Sequence, residues 1–152
     1  MNWPAYFFNL VEVIKQKSKD PSTQVGCIIV GKNNEVISTG FNGLPKFVFE
    51  KAERYIRPNK YLYIEHSERN AIYLAARRGV SLEGASIYVP WHPCADCARA
   101  IIQAGISKVY IDGNKYDPLH PTETDLRWKD SIEAAKEMLD EAWIDVIIWK
   151  EN

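Results

Sequence analysis

Hydrophobic and polar residues follow two different spacings along the first third of the chain. Between positions 3 and 14 an apolar residue recurs every three or four positions, which predicts an amphipathic helix over residues 4–17 with Asn2 as its N-cap. Residues 25–30 form an apolar, β-branched run of strand length, and residues 35–41 form a second one after a Gly-Lys-Asn-Asn turn. The pattern therefore predicts a β-hairpin that follows an N-terminal helix.

Helix-length and strand-length patterns alternate through the rest of the chain. The predicted elements are, in chain order, helix 67–78, strand 85–90, helix 94–104, strand 108–112, helix 128–142 and strand 146–149. Strands that alternate with helices are joined by crossovers and pair in parallel, whereas the strands of a hairpin are antiparallel. The sequence therefore predicts an α/β fold, a three-layer α-β-α sandwich with a mixed five-stranded sheet.

Residues 46–64 have no clear period, and aromatic residues alternate there with basic ones. A connection of this length without regular structure is usually a lid, a binding loop or a subunit interface, and the sequence leaves these three open. The aromatic residues Tyr110, Trp143 and Trp149 lie in or beside predicted elements. Each of them suits either the core or an interface, and we predict that each lies in the core.

The composition is that of an ordinary globular chain, and it narrows the classes of partner. A length of 152 residues suits one domain, which we place at residues 1–152, and 46% apolar with 26% charged residues is typical of such domains. A net charge of −1 gives no electrostatic reason to expect a nucleic-acid partner. No apolar run has the length of a membrane span, and the N-terminus does not resemble a signal peptide.

The three cysteines point to a compartment and to a metal. Two of them form a Cys-x-x-Cys pair, which fits a reducing cytoplasm better than a disulfide framework, and we expect a cytoplasmic protein. The third, Cys27, lies in the apolar run 25–30, and we expect it to be a small buried hydrophobic residue.

Two short motifs supply a candidate zinc site. The first is His66-Ser67-Glu68 and the second is Pro93-Cys94-Ala95-Asp96-Cys97, each at the start of a predicted helix, where partial positive charge favours a thiolate. One imidazole and two thiols are three of the four ligands that tetrahedral zinc takes, and a catalytic zinc keeps its fourth position for water. We predict that His66, Cys94 and Cys97 bind Zn²⁺. A purely structural zinc is the alternative.

Glu68 is not needed to complete this ligand set, so the sequence gives it a different role. A carboxylate beside the metal can take a proton from metal-bound water, hand it to a ring nitrogen of the substrate and return a proton to departing ammonia. The pattern His-x-Glu followed by Pro-Cys-x-x-Cys is typical of zinc-dependent nucleobase deaminases. We therefore predict that Glu68 is the catalytic proton carrier.

Several segments together resemble the deoxycytidylate deaminase branch of the cytidine deaminase superfamily. The zinc motifs are shared across that superfamily, and the segments before residue 46 narrow the resemblance to this branch. Ser67 stands where the family usually has alanine, and the Trp91-His92 pair is bulkier than is usual there. The segments that carry the resemblance are residues 18–26, 40–45, 66–72, 93–98 and 103–106.

The resemblance implies a cytidine deaminase-like fold and the hydrolysis of dCMP to dUMP and ammonia, a step that feeds thymidylate synthesis. It also implies roles in substrate binding for Asn42 (sugar), Ser67 (backbone N–H to the pyrimidine carbonyl) and Tyr116 (rim of the site). Members of the family form homo-oligomers, so a dimer or a larger assembly is expected. A pyrimidine nucleotide also requires cations for its phosphate. The candidates are Lys17, Lys19, Arg54, Arg57 and Lys60.

Two other classes of function remain open from the sequence. One is a zinc deaminase for another substrate, such as a different cytosine nucleotide or nucleoside, a free base, a tRNA base or a pterin- or pyrimidine-like intermediate. A nucleic-acid substrate would require a basic surface, which the charge balance does not favour. The other is a non-catalytic, zinc-stabilised binding module, against which Glu68 is the main argument.

Overall fold

A computed structural model describes residues 1–151. Its helices and strands follow the predicted order, with additional short helices. The elements are α1 (Trp3–Ile14), β1 (Gly26–Val30), β2 (Val36–Phe41), α2 (Lys60–Tyr63), α3 (Ser67–Arg78), β3 (Ser86–Val89), α4 (Ala95–Gln103), β4 (Lys108–Asp112), α5 (Glu123–Arg127), α6 (Lys129–Glu141) and β5 (Asp145–Trp149), with 3₁₀ turns at Lys15–Lys17 and Ala52–Tyr55.

The five strands form one sheet in the order β2-β1-β3-β4-β5. The β1 strand pairs antiparallel with both β2 and β3, whereas β3 with β4 and β4 with β5 are parallel pairs. The parallel pairs are those that α4 and α6 separate in the sequence, as the crossover argument requires. The predicted mixed five-stranded sheet is confirmed.

Helices cover both faces of this sheet. On one face, side chains of α3, α4 and α6 pack with inward-facing residues such as Ile29, Ile87 and Val109 in the larger core cluster. On the other face, Phe7 and Val11 of α1 pack with Ile28 and Val30 of β1 and with Tyr88 of β3. The three-layer α-β-α arrangement is therefore confirmed. Within residues 1–151, none of the helices combines the length and the apolar character needed to span a bilayer.

Local sequence signals act where they were expected. The Asn2 side chain accepts a hydrogen bond from the backbone N–H of Ala5 at 2.9 Å and caps α1. Gly79 takes a left-handed conformation, with φ +68°, and ends α3, a backbone geometry that glycine adopts without steric cost. Cys27 is fully buried, as predicted.

The structure departs from the prediction at several segments. The α-helix of residues 4–17 ends at Ile14 and continues as a 3₁₀ turn. The segment 46–64 contains a 3₁₀ turn and the short helix α2, and the loop that precedes α6 contains α5. These pieces are too short to produce a periodic pattern, so the sequence did not reveal them.

One of the three aromatic core predictions is wrong. Trp143 is 92% exposed because it sits in the turn after α6 with φ +59°, where the helical repeat that would direct it inward has ended. The other two side chains are partly buried against the α1 face of the sheet. Tyr110 stacks on Tyr88 with ring centroids 4.4 Å apart, and Trp149 stacks on Phe8 at 5.5 Å.

A close backbone approach sets the position of α3. A Cβ on Gly40 in β2 would lie 2.1 Å from the carbonyl oxygen of Ser67 and 2.6 Å from the backbone nitrogen of Ala71. Around this contact, the Cys27 thiol donates to the same Ser67 oxygen at 3.1 Å, and the Ser38 hydroxyl donates to the Ala71 oxygen at 2.7 Å. Because Gly40 has no side chain, the N-terminus of α3 can rest directly on the sheet.

We expect Gly40→Ala to lower the free energy of unfolding by about 1–3 kcal/mol, because the added methyl group must displace backbone atoms of α3. Gly43→Ala is the matched control, since its Cβ would meet nothing closer than a Phe41 ring carbon at 3.9 Å. Urea unfolding monitored by circular dichroism measures both variants. Equal midpoints for the two variants would contradict the proposed close contact.

Candidate active site

The N-termini of α3 and α4 bring three potential metal ligands together. His66 is the N-cap residue of α3, Cys94 is the N-cap residue of α4, and Cys97 lies one turn into α4. The His66 Nδ1 atom lies 3.6 Å from the Cys94 sulfur and 3.5 Å from the Cys97 sulfur. All three ligand atoms lie within 4.8 Å of one another.

These separations fit a zinc ion. Tetrahedral zinc with Zn–S bonds of about 2.3 Å and Zn–N bonds of about 2.0 Å places sulfur and nitrogen roughly 3.5 Å apart. No fourth His, Cys, Asp or Glu side chain within residues 1–151 joins the group. The donor set of one imidazole and two thiols is therefore the three-ligand kind that leaves one coordination position for water.

The two thiols influence each other's pKa in opposite directions. A hydrogen bond from Cys97 lowers the pKa of Cys94 to about 4, with a further contribution from the contact with His66 and opposed by burial. The hydrogen bond to Cys94, burial and the charge of Glu68 together raise the pKa of Cys97. The hydrogen bond with Cys94 also raises the pKa of His66, against the effect of burial. Because thiols bind zinc as thiolates, zinc binding at Cys94 and Cys97 would release the remaining thiol proton.

Arg69 places a positive charge beside the ligand sulfur. Its guanidinium donates to the Glu65 carboxylate, lies 3.6 Å from a carboxylate oxygen of Asp96, and has one nitrogen 3.7 Å from the Cys97 sulfur. Burial opposes its charge, but Cys97 and Glu65 outweigh burial and raise the pKa of Arg69. Hydrogen bonds to ligand atoms tune how strongly they donate to a metal. Arg69 was not predicted from the sequence, because its position next to Glu68 does not reveal that its side chain reaches α4.

The metal-ligand group opens into a cavity of about 710 Å³. Glu68 and Ser67 line it, both buried, and the Ser67 hydroxyl donates to the Glu68 carboxylate at 3.1 Å. The rings of Trp91 and Trp128 form part of its wall, and the Trp128 ring meets the His66 ring edge-on at 5.8 Å. The arrangement places a buried carboxylate beside two of the three potential metal ligands, His66 and Cys94, in one largely apolar space.

Asn42 lies in the cavity wall and is largely occupied by the protein itself. Its side-chain oxygen accepts from the Val25 backbone N–H at 2.8 Å, and its amide donates to the Thr23 carbonyl oxygen at 2.8 Å. A third, longer contact of 3.5 Å joins it to Asp20. These bonds hold residues 20–25 against the cavity and leave one lone pair of the Asn42 oxygen for another donor.

Tyr116 lies in the main core and does not line the cavity. Its ring is 5.9 Å from that of His92, which does line the cavity, so a direct substrate contact from Tyr116 gains no support from this position. His92 is buried, with Nδ1 2.9 Å from the Pro93 carbonyl oxygen, and burial lowers its pKa. His120 is exposed, its Nδ1 atom lies 3.0 Å from a carboxylate oxygen of Asp117, and it does not line the cavity.

Of the five predicted phosphate cations, Arg57 and Lys60 line the cavity, and Lys17, Lys19 and Arg54 do not. The Lys60 ammonium is buried and donates to Asp20 at 2.7 Å and to Ser22 at 3.0 Å.

Burial raises the pKa of Asp20, but the bonds from Lys60 and Ser22 outweigh it and hold the pKa below its usual range. A further cation, Arg127 of α5, also lines the cavity. It was not predicted from the sequence because α5 was not predicted.

Comparison with known proteins places this site in a family. A family model described as the cytidine and deoxycytidylate deaminase zinc-binding region matches residues 1–112. A protein of Aliivibrio fischeri described as an uncharacterized deaminase in the luxG 3′ region is 42% identical, over 95% of this chain and 91% of its own length. Human deoxycytidylate deaminase is 37% identical, over 76% of this chain and 67% of its own length.

A solved structure gives the same result. The crystal structure of dCMP deaminase from the cyanophage S-TIM5 in complex with dCMP and dUMP is 28% identical to this chain. It superposes with a TM-score of 0.70 over 95% of this chain and 94% of the phage protein. With the family model, the relatives and the fold in agreement, the chain belongs to the cytidine and deoxycytidylate deaminase family.

Proposed function

We propose that this protein is a zinc-dependent hydrolase that converts dCMP to dUMP with release of ammonia, and thereby supplies dUMP for thymidylate synthesis. The observation that carries the proposal is the group of His66, Cys94 and Cys97 in a cavity that also contains the buried Glu68 carboxylate. The dCMP and dUMP bound to the phage relative support the choice of substrate. In this proposal residues 1–152 act as one catalytic domain.

Zinc held by the three ligands would supply a Lewis acid that lowers the pKa of a bound water from about 16 to roughly 7–9. The protein's own part is proton transfer. Glu68 accepts a proton from the attacking water and delivers it to the pyrimidine ring nitrogen next to the amine-bearing carbon. As the carbon–nitrogen bond breaks, Glu68 carries the second proton to the amine, which leaves as ammonia. Water and dCMP are thus converted to dUMP and ammonia.

Ser67 contributes to this step in two ways. Its hydroxyl donates to the Glu68 carboxylate at 3.1 Å, which fixes one carboxylate oxygen and leaves the other for proton transfer. As the first residue of α3, Ser67 also has a backbone N–H without an intrahelical acceptor, and we propose that it binds the pyrimidine carbonyl oxygen. The remaining lone pair on Asn42 is proposed to accept from a sugar hydroxyl.

A second candidate is a deaminase for a different aminopyrimidine nucleotide. Its support is the cavity wall, in which Trp91, His92 and Trp128 surround the metal-ligand group. Flat aromatic walls bind a planar ring by stacking without fixing its substituents. Ammonia release from dCMP, cytidylate, deoxycytidine, cytidine and cytosine, measured side by side, decides between the two candidates, and no release from any of them favours a non-catalytic module.

We also propose that the protein self-associates through the segment 46–64, as the oligomeric family implies. Phe47, Phe49 and Leu62 of this segment are each more than three-quarters exposed. An apolar surface of this kind beside an active-site cavity is typical of an interaction site. A second subunit placed there would cover part of the cavity mouth.

We expect Glu68→Gln to lower kcat by at least about 100-fold, because glutamine preserves the shape of the side chain but carries no proton between the water and the ring. Bound zinc and the unfolding midpoint should stay close to those of the parent protein. Turnover within a few-fold of the parent value would remove Glu68 from the proton-transfer role.

Metal content tests the ligand set independently of activity. We expect the purified protein to contain a single zinc per chain, and Cys97→Ser to lose most of it and to melt at a lower temperature, because metal binding stabilises the folded state. Cys27→Ser is the control for zinc content, since Cys27 is a buried core residue outside the ligand group and a hydroxyl can take over its hydrogen bond to the Ser67 carbonyl oxygen. Equal zinc contents in the two variants, measured by plasma mass spectrometry, would refute the assignment.

Self-association is tested by multi-angle light scattering. We expect a mass that is a multiple of the 17.5 kDa chain, and a shift toward the monomer in Leu62→Ser. Leu119→Ser is the control, because both leucines are 82% exposed and only Leu62 lies in the segment 46–64. A monomeric parent protein, or an equal shift in both variants, would contradict the proposed interface.

A further inference from the structure

Two arginines from different parts of the chain converge on one phenol at the cavity. Arg57, in the segment 46–64, donates from Nε to the Tyr61 hydroxyl oxygen at 2.9 Å. Arg127, the last residue of α5, lines the same cavity and precedes Trp128, whose ring meets the Tyr61 ring edge-on at 6.3 Å. Burial raises the pKa of Tyr61, but these two guanidinium groups outweigh burial and lower it below its usual value. Two like charges are therefore held close together.

This pair of cations has no acidic partner. Within residues 1–151, neither the Arg57 nor the Arg127 guanidinium lies within 4.0 Å of a carboxylate oxygen. The nearby acid Asp125 is used in the capping box at the start of α5, where it pairs with Thr122. Two guanidinium groups that repel each other and lack a counter-ion are the arrangement expected of a site that binds an anion from solution.

The other cations around the cavity are occupied. Lys60 is bound by Asp20 and Ser22, and Arg69 is bound by Glu65 and lies against the Cys97 sulfur. Within the part of the chain that the structure describes, the cations of the cavity wall that remain for a phosphate are Arg57 and Arg127. Both are exposed, so a ligand can reach them.

One cavity connects this pair of arginines to the metal-ligand group. Both arginines line the same cavity as His66 and Glu68. The His66 ring is 5.8 Å from the Trp128 ring, which is 6.3 Å from the Tyr61 ring. Two ring-to-ring contacts thus connect the metal-ligand group to the Tyr61 ring along one wall of the cavity, and a nucleotide bound there can contact both ends.

We propose that Arg57, Arg127 and Tyr61 form a phosphate clamp that binds the 5′-phosphate of the substrate and makes the enzyme select nucleotides over nucleosides. The inference rests on the proposed deaminase function and names the residues that set its substrate class. Guanidinium groups bind two phosphate oxygens at once, and the Tyr61 hydroxyl can donate to a third. The phosphate charge also removes the repulsion between the two arginines.

Kinetics on a matched pair of substrates test the clamp in the zinc-loaded protein. For Arg57→Gln and Arg127→Gln we expect kcat/KM for dCMP to fall about 10- to 100-fold, mainly through KM, because each removes a charge-assisted bond to phosphate. With deoxycytidine we expect changes within about two-fold, since that substrate has no phosphate. Arg127→Lys should recover part of the loss, and Arg78→Gln, an exposed arginine on α3 outside the cavity, should leave both substrates unaffected.

Calorimetric binding of dUMP and deoxyuridine to the Glu68→Gln protein, with and without Arg127→Gln, separates the clamp from the reaction. If the Glu68→Gln protein binds dUMP more tightly than deoxyuridine and Arg127→Gln abolishes that preference, the clamp is supported. The same holds if no cytosine compound is deaminated, a result that would overturn only the proposed function. The clamp is overturned if the Glu68→Gln protein does not bind dUMP, or if adding Arg127→Gln leaves the affinity for dUMP unchanged. It is also overturned if the arginine variants lose activity equally on dCMP and on deoxycytidine.

Discussion

The direction in which the strands and helices follow one another fixes where this protein can carry out chemistry. Helices α3 and α4 both begin after a strand has ended, and both therefore start at the same edge of the sheet, as in other open α/β folds. His66 and Cys94 occupy the N-cap positions there, where partial positive charge favours the anionic forms of thiols and carboxylates. The packing of Gly40 against Ser67 and Ala71 sets how close α3 comes, and thereby the place of Glu68 in the cavity.

Charges in the cavity wall are mostly neutralised by other protein groups. The Asp20 carboxylate binds the Lys60 ammonium, and Glu65 binds Arg69 next to a ligand sulfur. Burying such a pair costs desolvation free energy that the mutual attraction offsets, whereas removing one buried partner leaves an uncompensated charge. The polar groups near the metal-ligand group are thus already oriented before a substrate enters, and Lys60 anchors α2 to the loop that Asn42 also holds. Among the cations that line the cavity within residues 1–151, Arg57 and Arg127 are those without a carboxylate partner.

Short-range patterns in the sequence predicted the fold and the two motifs that the structure brings together, because each element and each motif depends on neighbours a few residues away. The cap at Asn2, the stop at Gly79 and the Cys-x-x-Cys turn are of this kind. The contacts of Lys60 with Asp20, 40 residues apart, and of Arg69 with Cys97, 28 residues apart, depend on the tertiary arrangement and have no local signal. For the same reason Tyr116 was expected at the site and lies in the core, and Arg127 was not identified.

The residues that line the cavity come from two parts of the chain. The family model ends at residue 112, after the metal ligands and Glu68, whereas Arg127 and Trp128 come later. None of the residues of α5 is buried, so a substitution on α5 changes the cavity wall without disturbing the core that packs beneath His66, Cys94 and Cys97. The outer rim of the cavity can therefore vary while the two helix starts that carry the metal-ligand group and Glu68 keep their positions.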